Sequence, residues 1–128
     1  MKKVLVVAEK PFFVDLLAEH GAATGLFGVL NADNSAKALD IIESILIDVV
    51  VADLELPGVD GFELLLAVSQ RFPTMPLVTL SSASQKELSS RVETLAALRF
   101  HSKPVNLESL INEVCDAMDN VGANQRCR

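Results

Sequence analysis

Four polar side chains each stand directly behind a short strand-like run: Glu9 behind residues 4–8, Asp53 behind 49–52, Ser81 behind 76–80 and Lys103 behind 98–102. Laid side by side as parallel strands, those runs would bring two carboxylates, a hydroxyl and an amine to one cleft. Two adjacent carboxylates repel each other, so such a cleft invites a divalent cation or the Lys103 ammonium. Magnesium suits it, because that ion binds through one or two carboxylates and completes its octahedron with water and phosphate oxygens. Asp53 could then act as a nucleophile toward phosphorus, forming an acyl phosphate. What remains for the protein is in-line positioning and cancellation of phosphoryl charge, with magnesium, Lys103 and the Ser81 hydroxyl as the available groups. Taken alone, Asp53 reads equally well as a helix cap or a solvated turn residue.

The elements that must position these groups are legible in the pattern. Val49, Val50, Val51 and Ala52 form a β-branched apolar run suited to a strand buried on both faces. Pro57-Gly58 and Asp60-Gly61 then mark a loop, which puts Asp53 at the mouth of a turn. A first strand is predicted over residues 4–8, with Pro11 opening a helix whose spaced residues are Phe13, Leu16, Leu17 and His20. Gly21 to Gly25 reads as its breaker, and a second strand follows at 26–30. Asn34 or Ser35 caps a second helix with Ala38, Ile41, Ile42 and Ile45 on one face, ending near Leu46.

After Gly61 a third helix carries Phe62, Leu65, Leu66 and Phe72 until Pro73 stops it. The fourth strand, 76–80, is closed by Ser81-Ser82, and Ser84 caps a fourth helix with Leu88, Val92, Leu95 and Ala96 inward. A fifth strand at 98–102 runs into Lys103-Pro104, and Asn106 caps a last helix bearing Leu107, Leu110, Ile111, Val114 and Met118. Alternating strands and helices predict an α/β fold: a doubly wound five-stranded parallel sheet with helices on both faces. Right-handed crossovers favour the flavodoxin-like order 2-1-3-4-5, in which strands one and three are neighbours and Glu9 and Asp53 share a cleft.

The chain of 128 residues suits one domain, 1–120, followed by a polar tail or linker start at 121–128. Its net charge of −6, with no Lys/Arg cluster, argues against nucleic-acid binding by this domain. Glu9 and Lys10 cut the first apolar run too short for a signal-peptide core, and no apolar run is long enough for a bilayer, so the expected location is the cytoplasm. Cys115 and Cys127 read as free thiols, and His20 and His101 lack the spacing of a zinc site.

In order and spacing, these pieces resemble the receiver domains of two-component response regulators, over residues 3–118. Val4-Leu5-Val6-Val7-Ala8-Glu9 resembles the first strand with its acidic pair, and residues 53–61 the phosphoacceptor Asp with the loop after it. Ser81-Ser82 is similar to the hydroxyl and small residues that close strand four, and Lys103-Pro104 to the lysine and proline after strand five. The resemblance implies that Asp53 takes a phosphoryl group from a histidine kinase or phosphotransfer protein. It implies magnesium held by Glu9, Asp53 and the backbone carbonyl of Glu55, with Lys103 on the phosphoryl oxygens. It implies a switch pairing Ser81 with Phe100, read out on the fourth helix, fifth strand and last helix. A domain of this kind is not an enzyme beyond self-catalysed phosphoryl transfer and autodephosphorylation. It acts on a downstream protein or a fused output domain, and a second copy of the chain is a further candidate partner.

The pattern breaks at Ala8, where the family usually carries the first carboxylate of its acidic pair, and Glu9 fills the second place. One carboxylate fewer would weaken the magnesium site. A second reading therefore stands beside the first: a pseudo-receiver that docks or dimerises without phosphate. A flavin or nucleotide domain on the same fold fits poorly, because Glu9-Lys10-Pro11 follows strand one instead of a Gly-rich loop.

Overall fold

A computed structural model describes residues 2–8, 12–53, 61–72, 74–81, 98–102 and 106–119. In it β1 (Lys2–Val7), β2 (Phe27–Ala32), β3 (Val49–Asp53), β4 (Leu77–Ser81) and β5 (Leu98–Ser102) form one parallel sheet of order β2-β1-β3-β4-β5. This is the predicted order. The helices are α1 (Phe12–Thr24), α2 (Ser35–Ser44), α3 (Gly61–Arg71) and α4 (Leu107–Asp119). The helix predicted after Ser84 lies outside the described residues.

β3 is central because its first four side chains, Val49 to Ala52, are all buried, alternating between the two core layers. Val49 and Val51 join Val4, Val6, Val78 and Leu80 in the layer under α1 and α4, while Val50 and Ala52 join Leu5, Val7 and Leu77 under α2 and α3. Such alternating burial is what a strand with helices on both sides requires. The start of β3 is fixed to β1 by Asp48, whose carboxylate accepts from the Lys3 N–H at 2.7 Å while its own N–H donates to the Lys3 carbonyl at 2.8 Å.

Several boundaries and faces differ from the sequence pattern. α1 runs through Gly21 and stops at Thr24, with Gly25 in the left-handed region at φ 72°. Gly21 is a contact residue and not a breaker: a Cβ there would lie 2.4 Å from the Phe27 carbonyl oxygen and 2.6 Å from its ring. Its absence lets the helix lie against β2. Consequently α1 buries Val14 and Leu17, while Leu16 is exposed and His20 half-buried. On α3 the buried residues are Leu64, Leu65 and Val68, with Leu66 exposed. On α2, Ala38 and Ile42 are buried, and Ile45, at the cap, is exposed.

Helix starts follow the sequence more closely. The Asn34 side chain accepts from the Lys37 N–H at 2.8 Å, and the Asn106 side chain from the Ser109 N–H at 3.0 Å. Both satisfy a backbone donor that the first turn would otherwise leave unpaired. Strand β2 begins and ends later than predicted, β1 begins and ends earlier, and β4 extends to include Ser81. No helix among the described residues is long and apolar enough to cross a membrane.

Candidate functional site

Parallel register brings the strand ends into line. Val7 pairs with Ala52, Asp53 with Leu80, and Leu80 with His101. Extending the β1–β3 register by one residue sets Ala8 beside Asp53 at the carboxyl edge of the sheet. One row beyond, Ser81 pairs with Ser102, the residue that precedes Lys103. One row below, Thr79 pairs with both Ala52 and Phe100. Asp53, Ser81 and Phe100 thus stand on three adjacent strands within three rows of one another. Glu9, Glu55 and Lys103 lie outside the described residues, as does the whole segment 54–60, on which the sequence predicts a loop.

Asp53 is half-buried at the end of an otherwise fully buried strand, so it is reachable from solvent yet held on rigid backbone. The carboxyl edge at the β1/β3 neighbours is where an open parallel sheet of this order presents ligands. Ala8 is only 1% exposed and contributes a methyl to the α1–α4 core layer, so that place offers no side-chain oxygen to a cation. The carboxylate of Asp53 and the sequence-assigned Glu9 and Glu55 carbonyl are hard oxygen donors of the kind magnesium takes, one carboxylate poorer for Ala8. Among the described residues no group of His, Cys, Asp or Glu side chains gathers to hold a metal.

The family of response regulator receiver domains matches residues 4–115. The chain belongs to that family. Over 117 residues this receiver domain is 27% identical to a cyclic di-GMP phosphodiesterase of Thermotoga maritima, covering 91% of the chain and 31% of the relative. It is 30% identical over 116 residues to the Fimbriae Z protein of Salmonella typhimurium, covering 82% of the chain and 55% of that protein. The receiver domain therefore spans about a third to a half of the length of these relatives. Its backbone is similar to a solved receiver domain of Methanospirillum hungatei, with TM-score 0.82 at 22% identity, covering 98% of this chain and 99% of the other.

Two residues of the receiver domain escaped the sequence reading. Thr79 is 1% exposed, a hydroxyl within a buried strand between Ala52 and Phe100. Asn31, near the end of β2, donates its side-chain amide to the Val6 carbonyl at 2.9 Å and to the Ala8 carbonyl at 3.3 Å. It ties down the end of β1, directly before Glu9. Thr79 was a polar residue inside a predicted strand and Asn31 one just past another, and neither signal says which way the side chain turns.

Proposed function

We propose that this receiver domain is a phosphorylation-controlled switch in which Asp53 accepts the phosphoryl group. The observation that carries the reading is the half-buried carboxylate of Asp53 at the carboxyl edge of central β3, with Ser81 ending the neighbouring strand. A histidine kinase or phosphotransfer protein is the donor. An Asp53 carboxylate oxygen attacks phosphorus in line, the P–N bond to the donor imidazole breaks, and the leaving nitrogen keeps its electron pair and is protonated by solvent. Magnesium, when bound by Glu9, Asp53 and the Glu55 carbonyl, supplies positive charge against the phosphoryl oxygens. Lys103 adds an ammonium to the same oxygens, and the Ser81 hydroxyl donates a hydrogen bond to one of them.

The new charge on Asp53 favours a state in which Ser81 moves toward the phosphoryl group and Phe100 follows, altering the surface around β5 and α4. Residues 1–120 form the switching unit, and 121–128 lead as a polar tail or linker toward an output domain or a downstream protein. The lengths of the relatives support such an attachment, since this chain spans only part of each.

Intact mass after incubation with acetyl phosphate, with and without magnesium, tests the acceptor. The expected result is a magnesium-dependent phosphoryl adduct on the wild type and none on Asp53→Asn. An adduct of equal yield on the variant would move the acceptor elsewhere. No adduct on either protein, with the cognate kinase also failing, would leave the phosphate-independent docking reading, for which Ala8 is the motivating residue.

A further inference from the structure

Between the C-terminal end of α1 and the first half of α4 lies a groove of about 430 Å³. Its floor is aliphatic, formed by Leu26, Leu107 and Ile111, which are half-buried and packed on the core layer beneath. Its rim is polar, formed by His20, Thr24, Glu108 and Asn112. The Thr24 hydroxyl is already engaged, donating to the His20 carbonyl at 2.8 Å and accepting from the Leu26 N–H at 3.4 Å, so it builds the wall. An apolar floor within a polar rim is the form in which a groove takes the apolar face of a partner helix.

Charge selects the occupant. α1 carries Asp15 and Glu19, α4 carries Glu108, Glu113, Asp116 and Asp119, and neither helix contains a Lys or Arg. Asp15, Glu19 and Glu108 are exposed. On the opposite layer, Lys37 and Arg71 do stand among carboxylates and pair with Asp33 and Glu43. Glu108 is the carboxylate on the rim itself and the others stand on the two helices around it, a surrounding charge that repels nucleic-acid phosphates and anionic lipid headgroups and attracts Lys and Arg side chains. An amphipathic helix is the segment that offers aliphatic residues to a groove floor at helical spacing while carrying such cations alongside.

We propose that the groove between α1 and α4 docks a cationic amphipathic helix of a partner protein, seated on Leu26, Leu107 and Ile111 and selected by Glu108 and the neighbouring carboxylates. Leu26 lies at the amino edge of the sheet, leading into Phe27 opposite Lys2, whereas Asp53 closes the carboxyl edge. The proposal rests on the lining of the groove and not on the phosphoryl reading, and it stands whether or not Asp53 is an acceptor.

The test uses a synthetic amphipathic helix built of leucine and lysine and its leucine–glutamate counterpart, titrated into the full chain by fluorescence anisotropy with amide shifts recorded in parallel. The lysine peptide is expected to bind, to shift the amides of His20, Thr24 and Ile111, and to weaken as salt is raised. The glutamate peptide is expected not to bind. Glu108→Lys should weaken the lysine peptide about fivefold, the effect of one exposed ion pair replaced by repulsion. Asn112→Trp, at another exposed position, should block the groove and abolish binding. Circular dichroism confirms that both variants are folded. Equal binding of the two peptides, unchanged binding in both variants, shifts confined to other elements, or self-association through this face would each overturn the proposal.

Discussion

The two faces of the sheet solve the same burial problem differently. Under α2 and α3, among the described residues, Leu64, Leu65 and Val68 fill the layer, and Arg71 at the end of α3 ties across to Glu43 at the end of α2. Under α1 and α4 the buried residues, among those described, are more numerous, yet the helices part over Leu26, Leu107 and Ile111 and leave the groove. The lesson is that burial of the strands does not require the helices above them to touch along their length. A face can stabilise the fold through its inner residues and keep an opening between its outer ones.

The largest effect that sharpens this contrast comes from deleting a fully buried leucine on each side. Leu65 and Leu110 are both 0% exposed. Leu→Ala in a core costs about 2–5 kcal/mol, the amount depending on how far the surroundings collapse into the cavity. Leu65→Ala, under α2 and α3, should fall at about 4–5 kcal/mol and Leu110→Ala, between the groove-lining Leu107 and Ile111, at about 2–3 kcal/mol, measured by urea unfolding. Equal losses would mean that the groove gives the layer no freedom to relax.

Next in size is Gly21→Ala. The added methyl would meet the Phe27 backbone oxygen, which is held in the β1–β2 ladder and cannot swing aside as a side chain can. Overpacking of about 1–3 kcal/mol, reduced by about 0.5–1 kcal/mol of helix propensity, leaves a net loss of about 1–2 kcal/mol. A rise in the urea midpoint would show that α1 lifts freely from β2.

The caps should be equal on the two faces, since Asn34 and Asn106 make the same bond to the third residue after them. Replacing either with Ala should cost about 1 kcal/mol, and an unequal pair of thermal midpoints would show that one helix start is held by more than its cap. Smallest is Arg71→Ala. Both partners of the Arg71–Glu43 pair are more than a third exposed, so the loss should stay below about 1 kcal/mol and shrink with added salt. A larger, salt-insensitive loss would make the ion pair, and not the leucines of α3, the element that holds α2 and α3 together.

The strand ends were readable from the chain because β-branched runs and turn residues are local signals. Val49 to Ala52 followed by Asp53, and the loop signals Pro57-Gly58 and Asp60-Gly61, need no knowledge of the rest of the molecule. Asn34 and Asn106 were readable for the same reason, since a cap acts within one turn. The helix faces were less so. Leu16 and Leu17, or Leu65 and Leu66, are equally apolar neighbours about 100° apart on a helix, and only the rotation of the packed helix decides which one is buried. Gly21 misled because a glycine that ends a helix and one that lets it approach a strand look alike in sequence.

The sequence by itself therefore determined the count of the described strands and their succession along the chain, the starts of α2 and α4, and the placement of Asp53 at a strand's end, since all of these follow from short-range periodicity and turn chemistry. Tertiary structure alone decided that Ala8 lies beside Asp53, that Thr79 is buried between Ala52 and Phe100, that Asn31 ties down the end of β1, and that α1 and α4 part over an aliphatic floor. These are contacts between residues far apart in the chain, fixed by strand register and helix rotation, and no local pattern encodes either.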